Sequence, residues 1–147
     1  MAKLYLLLSI CIGITAGIGF STFYYAKGYS YLSDNPAACD NCHIMNDEYF
    51  SWVKSSHHYA ATCNDCHTPK DFAGKWLIKG LNGWNHSYAF TSGDYHKPIQ
   101  INERNKNITE ENCRYCHKMM AYNLTFHETE NNKIECTSCH RNVGHLK

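Results

Sequence analysis

The sequence predicts a mainly α-helical chain with long loops: one membrane-spanning helix at the N-terminus, then a small domain whose interior is not built from side chains. Three observations predict it. The run Leu4–Ala26 carries no charge and lies between Lys3 and Lys27. Beyond it the chain is polar and loop-rich, with too few Leu, Ile, Val and Phe for an ordinary core and little of the alternation that marks strands. The pattern Cys-x-x-Cys-His recurs four times and uses eight of the nine cysteines.

The first element reads LYLLLSICIGITAGIGFSTFYYA. At about 1.5 Å per residue it is long enough to cross a hydrocarbon layer of about 30 Å. A cleaved signal peptide has a more basic start, a shorter apolar stretch and a small-residue exit site. Here Met1-Ala2-Lys3 is only weakly basic and no clean A-x-A follows the run. Tyr24, Tyr25, Tyr29 and Tyr31 gather at its end, as aromatic residues do at a membrane surface. Gly13, Gly17 and Gly19 would permit close helix packing. The expected organisation is an uncleaved anchor over residues 1–27 and a second domain over residues 28–147. Cys11, the ninth cysteine, sits in the middle of the anchor as a small apolar filler.

The 147 residues carry a formal charge of +1, which gives no basis for a nucleic-acid partner. Ten histidines accompany the nine cysteines. A disulfide framework needs no imidazole, so the histidines point to metal ligation instead.

The four motifs are Cys39-Asp40-Asn41-Cys42-His43, Cys63-Asn64-Asp65-Cys66-His67, Cys113-Arg114-Tyr115-Cys116-His117 and Cys136-Thr137-Ser138-Cys139-His140. A zinc site gathers four ligands from two pairs, which explains the cysteines but not a histidine at the next position every time. A redox dithiol calls for one motif in a βαβ frame. Haem attachment explains all of it. Two sulfurs add to the two vinyl groups of one haem, the two intervening residues span them, and the adjacent imidazole lies under the porphyrin face. Four covalently bound haem c groups in about 120 residues would themselves be the core. The fold class is then one N-terminal transmembrane helix plus a small multihaem cytochrome c domain whose core is haem. Haem is attached outside the cytoplasm, which places the bulk of the chain in the periplasm and the N-terminus inside.

Each iron takes one or two axial ligands. The motif histidines His43, His67, His117 and His140 are the default set, and His57, His58, His86, His96, His127 and His145 remain. Met45 stands two residues past the first motif and offers a thioether, which raises a haem's potential. Met119 stands at the same place after the third motif, so spacing alone does not single out Met45. Between the second and third motifs, Phe72–Phe90 carries apolar and aromatic residues at irregular helical spacing with Lys75 and Lys79 among them, as an amphipathic segment at a membrane surface would. Further on, Thr109 is positioned as a helix N-cap, with glutamates in the first turn.

CHIMN at 42–46, SSHHYAATCNDCHTP at 55–69 and CTSCHRNVGH at 136–145 resemble the membrane-anchored tetrahaem cytochromes of the NapC/NirT family, over essentially the whole chain. The resemblance implies that Met45, not His43, holds the first iron, and that the second iron takes His67 and a lysine from a partner. It implies His117 with His145 at the third, and His140 with His58 at the fourth. It also implies a quinol site beside the first haem, with Lys79 as its lysine. The acidic residue expected seven places later is His86 here, a departure; its imidazole can accept a proton near neutral pH or reach the first iron. The implied activity is menaquinol oxidation at the cytoplasmic membrane. The implied partner is a periplasmic pentahaem nitrite reductase, in a hetero-oligomer held at membrane lipid. Alternatives are donation to another periplasmic reductase such as nitrate reductase, a tethered electron carrier without quinol chemistry, and a terminal reductase. The last is disfavoured because closely wrapped haems leave little room for a substrate cavity.

Overall fold

The protein is described by a computed structural model covering residues 1–125 and 133–145. The chain divides into two compact units, Met1–Ser33 and Asp34–Lys147. His127 lies outside the described residues.

In the first unit, helix α1 (Ala2–Tyr25) has no buried residue and is long and apolar enough to cross a membrane. Its two mid-helix hydroxyls return to the backbone one turn earlier, Ser9 to the Tyr5 carbonyl at 2.8 Å and Thr15 to the Cys11 carbonyl at 2.8 Å. That pairing suits an apolar medium, where a free hydroxyl is costly. Lys27 takes a left-handed conformation (φ 52°) and turns the chain into a 3₁₀ turn over Gly28–Leu32.

The second unit is helical throughout, with no strand among the described residues. Two 3₁₀ turns, Pro36–Asn41 and His43–Met45, lead into α2 (Asn46–Val53). Then come α3 (Cys63–His67), α4 (Phe72–Ser92), α5 (Glu103–Cys116), α6 (Lys118–Thr125) and the single turn α7 (Cys136–Cys139). The Asp71 side chain accepts from the Gly74 amide to start α4, and Gly93, at φ 72°, ends it in the left-handed region that glycine enters without strain.

Helix α5 begins two turns before the expected cap. Asn102 caps it, accepting from the Asn105 amide at 2.9 Å, and Thr109 sits inside the helix with its hydroxyl on the Asn105 carbonyl. The Thr-Glu-Glu run reads like a first turn, but Asn102-Glu103 supplies the same pattern earlier, and an asparagine cap is at least as good.

Helix α5 is the spine of the second unit. Its Asn112 amide donates to the carbonyls of Cys66 and Thr68, both at 2.9 Å, and so fixes α3. Its Glu110 carboxylate accepts from the Cys136 amide at 2.6 Å and the Thr137 amide at 2.9 Å, and so caps α7. Side-chain packing contributes little. Among the described residues only Trp52, Ile78, Ile108 and Ala121 are buried apolar side chains, and no large side chain is fully enclosed. Helix α4 faces the wrong way for a soluble protein: Lys79 is buried, while Leu77, Leu81, Trp84 and Tyr88 are exposed.

Candidate functional site

Three of the four cysteine pairs lie in α-helical turns. The second is α3 itself, the third ends α5, and the fourth is α7. In a helix, residues three and four apart share a face, so both sulfurs and the following imidazole emerge on one side. The amides of His117 and His140 bond the carbonyls of Cys113 and Cys136, each at 2.9 Å, which keeps each histidine on its own turn. Residues inside the second pair also build the turn: Asp65 closes a capping box with Thr62, and Asn64 reaches Asp34.

The first pair is different. Cys39 lies in a 3₁₀ turn that stops at Asn41, and Cys42 is extended (φ −98°, ψ 119°). The helical register is lost there. His43 is exposed, whereas Met45 is half-buried, its amide turned back onto the Cys42 carbonyl at 2.8 Å. Met119, at the equivalent spacing, is 89% exposed.

The pairs neighbour one another in chain order. The Cys39 and Cys63 sulfurs are neighbours, with the Lys79 ammonium nearby. Cys66 feels Cys116. Cys113 lies near Cys136, Glu110 and Cys66.

The histidines gather around the same region. Burial above all, with His145 and His86 nearby, lowers His67 to about 4, so it is neutral at physiological pH, the form that binds metal. The His67 and His145 rings stand 6.1 Å apart, and those of His57 and His117 6.0 Å. Imidazole binds metal at about 2.0–2.1 Å, so two rings flanking one ion would have centres about 6 Å apart. These pairings differ from His117–His145 and His140–His58, which the family resemblance implies. His145 is oriented by Glu48, through its carbonyl at 3.0 Å and its carboxylate at 3.2 Å. His58 packs edge-on against Trp52 at 4.5 Å, and its Nδ1 is buried without a hydrogen-bond partner among the described residues. His140 and His96 are exposed. His86 is exposed on α4, near enough to His67 to weigh on its protonation.

Lys79 belongs to a charged cluster that sequence reading did not find whole. Asp34 accepts from Lys75 at 2.6 Å through one oxygen, and from Asn64 at 2.7 Å and Lys79 at 3.3 Å through the other. Lys75, first, and Lys79 hold the Asp34 carboxyl below its usual range. The Lys79 ammonium also lies over the Trp76 ring at 5.2 Å. Glu110 and Asn112 were likewise missed; a glutamate and an asparagine on a polar helix carry no distinguishing signal.

The residues fit haem on three grounds. The paired sulfurs with an adjacent imidazole are the donor set of thioether attachment. A buried histidine nitrogen lacks a partner. The second unit encloses almost none of its own apolar side chains. A helical frame presenting such motifs in place of a core defines a c-type cytochrome.

Comparison with known proteins agrees. The description "NapC/NirT cytochrome c family, N-terminal region" matches residues 1–147, and the chain belongs to that family, whose haem is covalently bound. It is 38% identical over 132 residues to the cytochrome c-type protein NrfH of Wolinella succinogenes, spanning 83% of this chain and 75% of that one. It is 34% identical over 122 residues to the cytochrome c nitrite reductase subunit NrfH of Nitratidesulfovibrio vulgaris, spanning 83% and 74%. In structure it is similar to a chain in the crystal structure of the cytochrome c nitrite reductase NrfHA complex bound to the HQNO inhibitor. That likeness has a TM-score of 0.68 at 30% identity and covers 97% of this chain and 90% of that chain.

Proposed function

We propose that the protein is a membrane-anchored tetrahaem quinol dehydrogenase, the subunit that passes electrons from menaquinol to a periplasmic multihaem nitrite reductase. Similarity to NrfH proteins and to a chain of the NrfHA complex supports the assignment. The observation that carries the quinol end is the first cysteine pair, where the helical register breaks at Cys42 and Met45 is half-buried, with the buried Lys79 ammonium close to Cys39.

Cys39 and Cys42, Cys63 and Cys66, Cys113 and Cys116, and Cys136 and Cys139 would each hold one haem by thioether bonds. Met45, His67, His117 and His140 would ligate the irons, with His58 and His145 as distal ligands and His57 as a rival to them at the third iron. Haem, when bound, supplies one-electron acceptors whose potentials the axial ligands set. The chain's own residues handle the quinol. Menaquinol becomes menaquinone by losing two electrons and two protons. Lys79 donates a hydrogen bond to one quinol oxygen. His86 lies seven residues further on the same helix, about 10 Å along its axis, and accepts a proton. Because His86 is exposed, it can hand that proton to water and then accept the second, so both protons leave by the same route. The second haem would take His67, with His145, whose ring stands 6.1 Å away, as the rival to a partner's ligand on its other face. The second unit would lie in the periplasm and α1 in the cytoplasmic membrane with its N-terminus inside.

The test is reconstitution of the full-length haem protein in lipid vesicles with a menaquinol analogue. The haems should be reduced by the quinol and reoxidised only when a nitrite reductase catalytic subunit and nitrite are both added. Haems that stay oxidised with quinol would refute quinol oxidation; reoxidation by a nitrate reductase alone would refute the partner. Intact-mass measurement should exceed the 16.9 kDa polypeptide by four haem groups.

A further inference from the structure

We propose that Asp34 is the positioning residue of the quinol site: it holds Lys79 inward beside the first cysteine pair and ties it to the second. The inference rests on the reading of Lys79 as a quinol ligand. Lys75 and Lys79 stand one turn apart on α4, so their charges repel on a shared face. The Lys79 side chain is only 7% exposed and the Lys75 side chain 26%. An ammonium so buried is unfavourable without a paired anion. Asp34 reaches both, its two oxygens dividing between them at 2.6 and 3.3 Å.

Asp34 lies just before the first cysteine pair, five residues from Cys39. The oxygen that meets Lys79 also accepts from Asn64, which lies between the cysteines of the second pair. One side chain thereby joins three segments: the approach to the first pair, the turn of the second, and α4. With the carboxylate in place, the Lys79 head is held aimed inward, ready to donate to a quinol oxygen. Without it, the two ammonium groups lose the anion they share and repel, and the Lys79 head shifts from its inward position. Asp34 itself is half-exposed and does not touch the quinol in this arrangement; it acts through the lysine.

The test uses full-length haem-loaded protein in detergent, with HQNO as the probe and binding followed by fluorescence titration. Variants are compared only at unchanged haem content. Asp34→Ala should weaken HQNO binding about tenfold, the scale of one lost charge-assisted hydrogen bond. Asp34→Glu, which keeps the charge, should recover most of it. In a Lys79→Met background, Asp34→Ala should add nothing further, because its effect runs through that lysine. If Asp34→Ala binds HQNO normally while Lys79→Met is weakened, the positioning role is wrong and the quinol reading of Lys79 stands. A full additional loss on the Lys79→Met background also overturns it, since Asp34 would then act by another route. If Lys79→Met binds normally, the reading of Lys79 falls and this inference falls with it.

Discussion

In the proposed arrangement Met45 and His43 are the two candidates for the first iron, and the backbone between them departs from that of the other pairs. In the three helical pairs the histidine follows its cysteines on one turn; at Cys42 the chain is extended and that register is lost, and, although His43 is exposed just as His117 and His140 are, Met45 is half-buried beside it. A thioether ligand raises a haem's potential relative to imidazole. Met45→His should therefore lower the potential of one haem by on the order of 0.1 V, a fraction of the range that axial ligands span, and leave the other three in place. His43→Ala should leave all four potentials unchanged. Spectroelectrochemical titration reads both; a His43→Ala variant that shifts one haem while Met45→His shifts none would reverse the assignment. The sequence offered Met45 and Met119 at the same spacing, and the distinction became visible only through burial, because spacing does not record where a helix breaks. His86 shows the same limit. Its place on α4 was readable, but its nearness to His67 is a tertiary fact.

At the scale of elements, α5 orders the haem-binding turns from behind. Asn112 is 6% exposed and satisfies two carbonyls at once. Asn112→Leu should cost about 2–3 kcal/mol by leaving those acceptors buried and unpaired, measured as a lower midpoint in chemical unfolding of the haem protein. Glu110 predicts a pH dependence. Burial pushes its carboxyl up, but the Thr137 hydroxyl and the Thr137 and Cys136 amides outweigh burial and hold it below the usual range. A carboxyl depressed on folding contributes stability that is complete above its unfolded value, about 4.3, and is lost as pH falls through the lower folded value. Wild type should exceed Glu110→Gln in stability at pH 7, and the gap should close on acidification below about pH 4. A gap that persisted unchanged into acid would show that the charge is not what matters. Helix α4 was legible in the sequence because apolar and aromatic residues recur at helical, if irregular, spacing over many residues. The start of α5 was not, because two cap-like patterns precede it and only packing chooses between them.

At the scale of the whole molecule, the sequence was most informative where it was least like an ordinary domain. Four repeats of one five-residue motif beside a shortage of aliphatic residues pointed to a cofactor interior, and the second unit buries only Trp52, Ile78, Ile108 and Ala121 among its described apolar residues. The tertiary joints that brace this frame, Asp34 to α4, Glu110 to α7 and Asn112 to α3, were invisible because each is a single polar residue acting over long sequence separation. Folding must offset the loss of backbone and side-chain freedom, and in most domains apolar burial does so. Here side chains bury too little, so covalently held haem must supply the apolar surface that the frame wraps. The full chain produced without haem attachment should therefore keep α1 helical in detergent and lose ordered structure beyond Ser33. Far-UV circular dichroism should show helicity close to that of α1 alone, limited proteolysis should cut freely after residue 33, and heating should give no cooperative transition. The haem-loaded chain should unfold cooperatively and resist the protease. A haem-free chain that melted sharply and resisted proteolysis beyond Ser33 would mean that polar joints and four buried side chains suffice, and that haem is cargo on a finished fold.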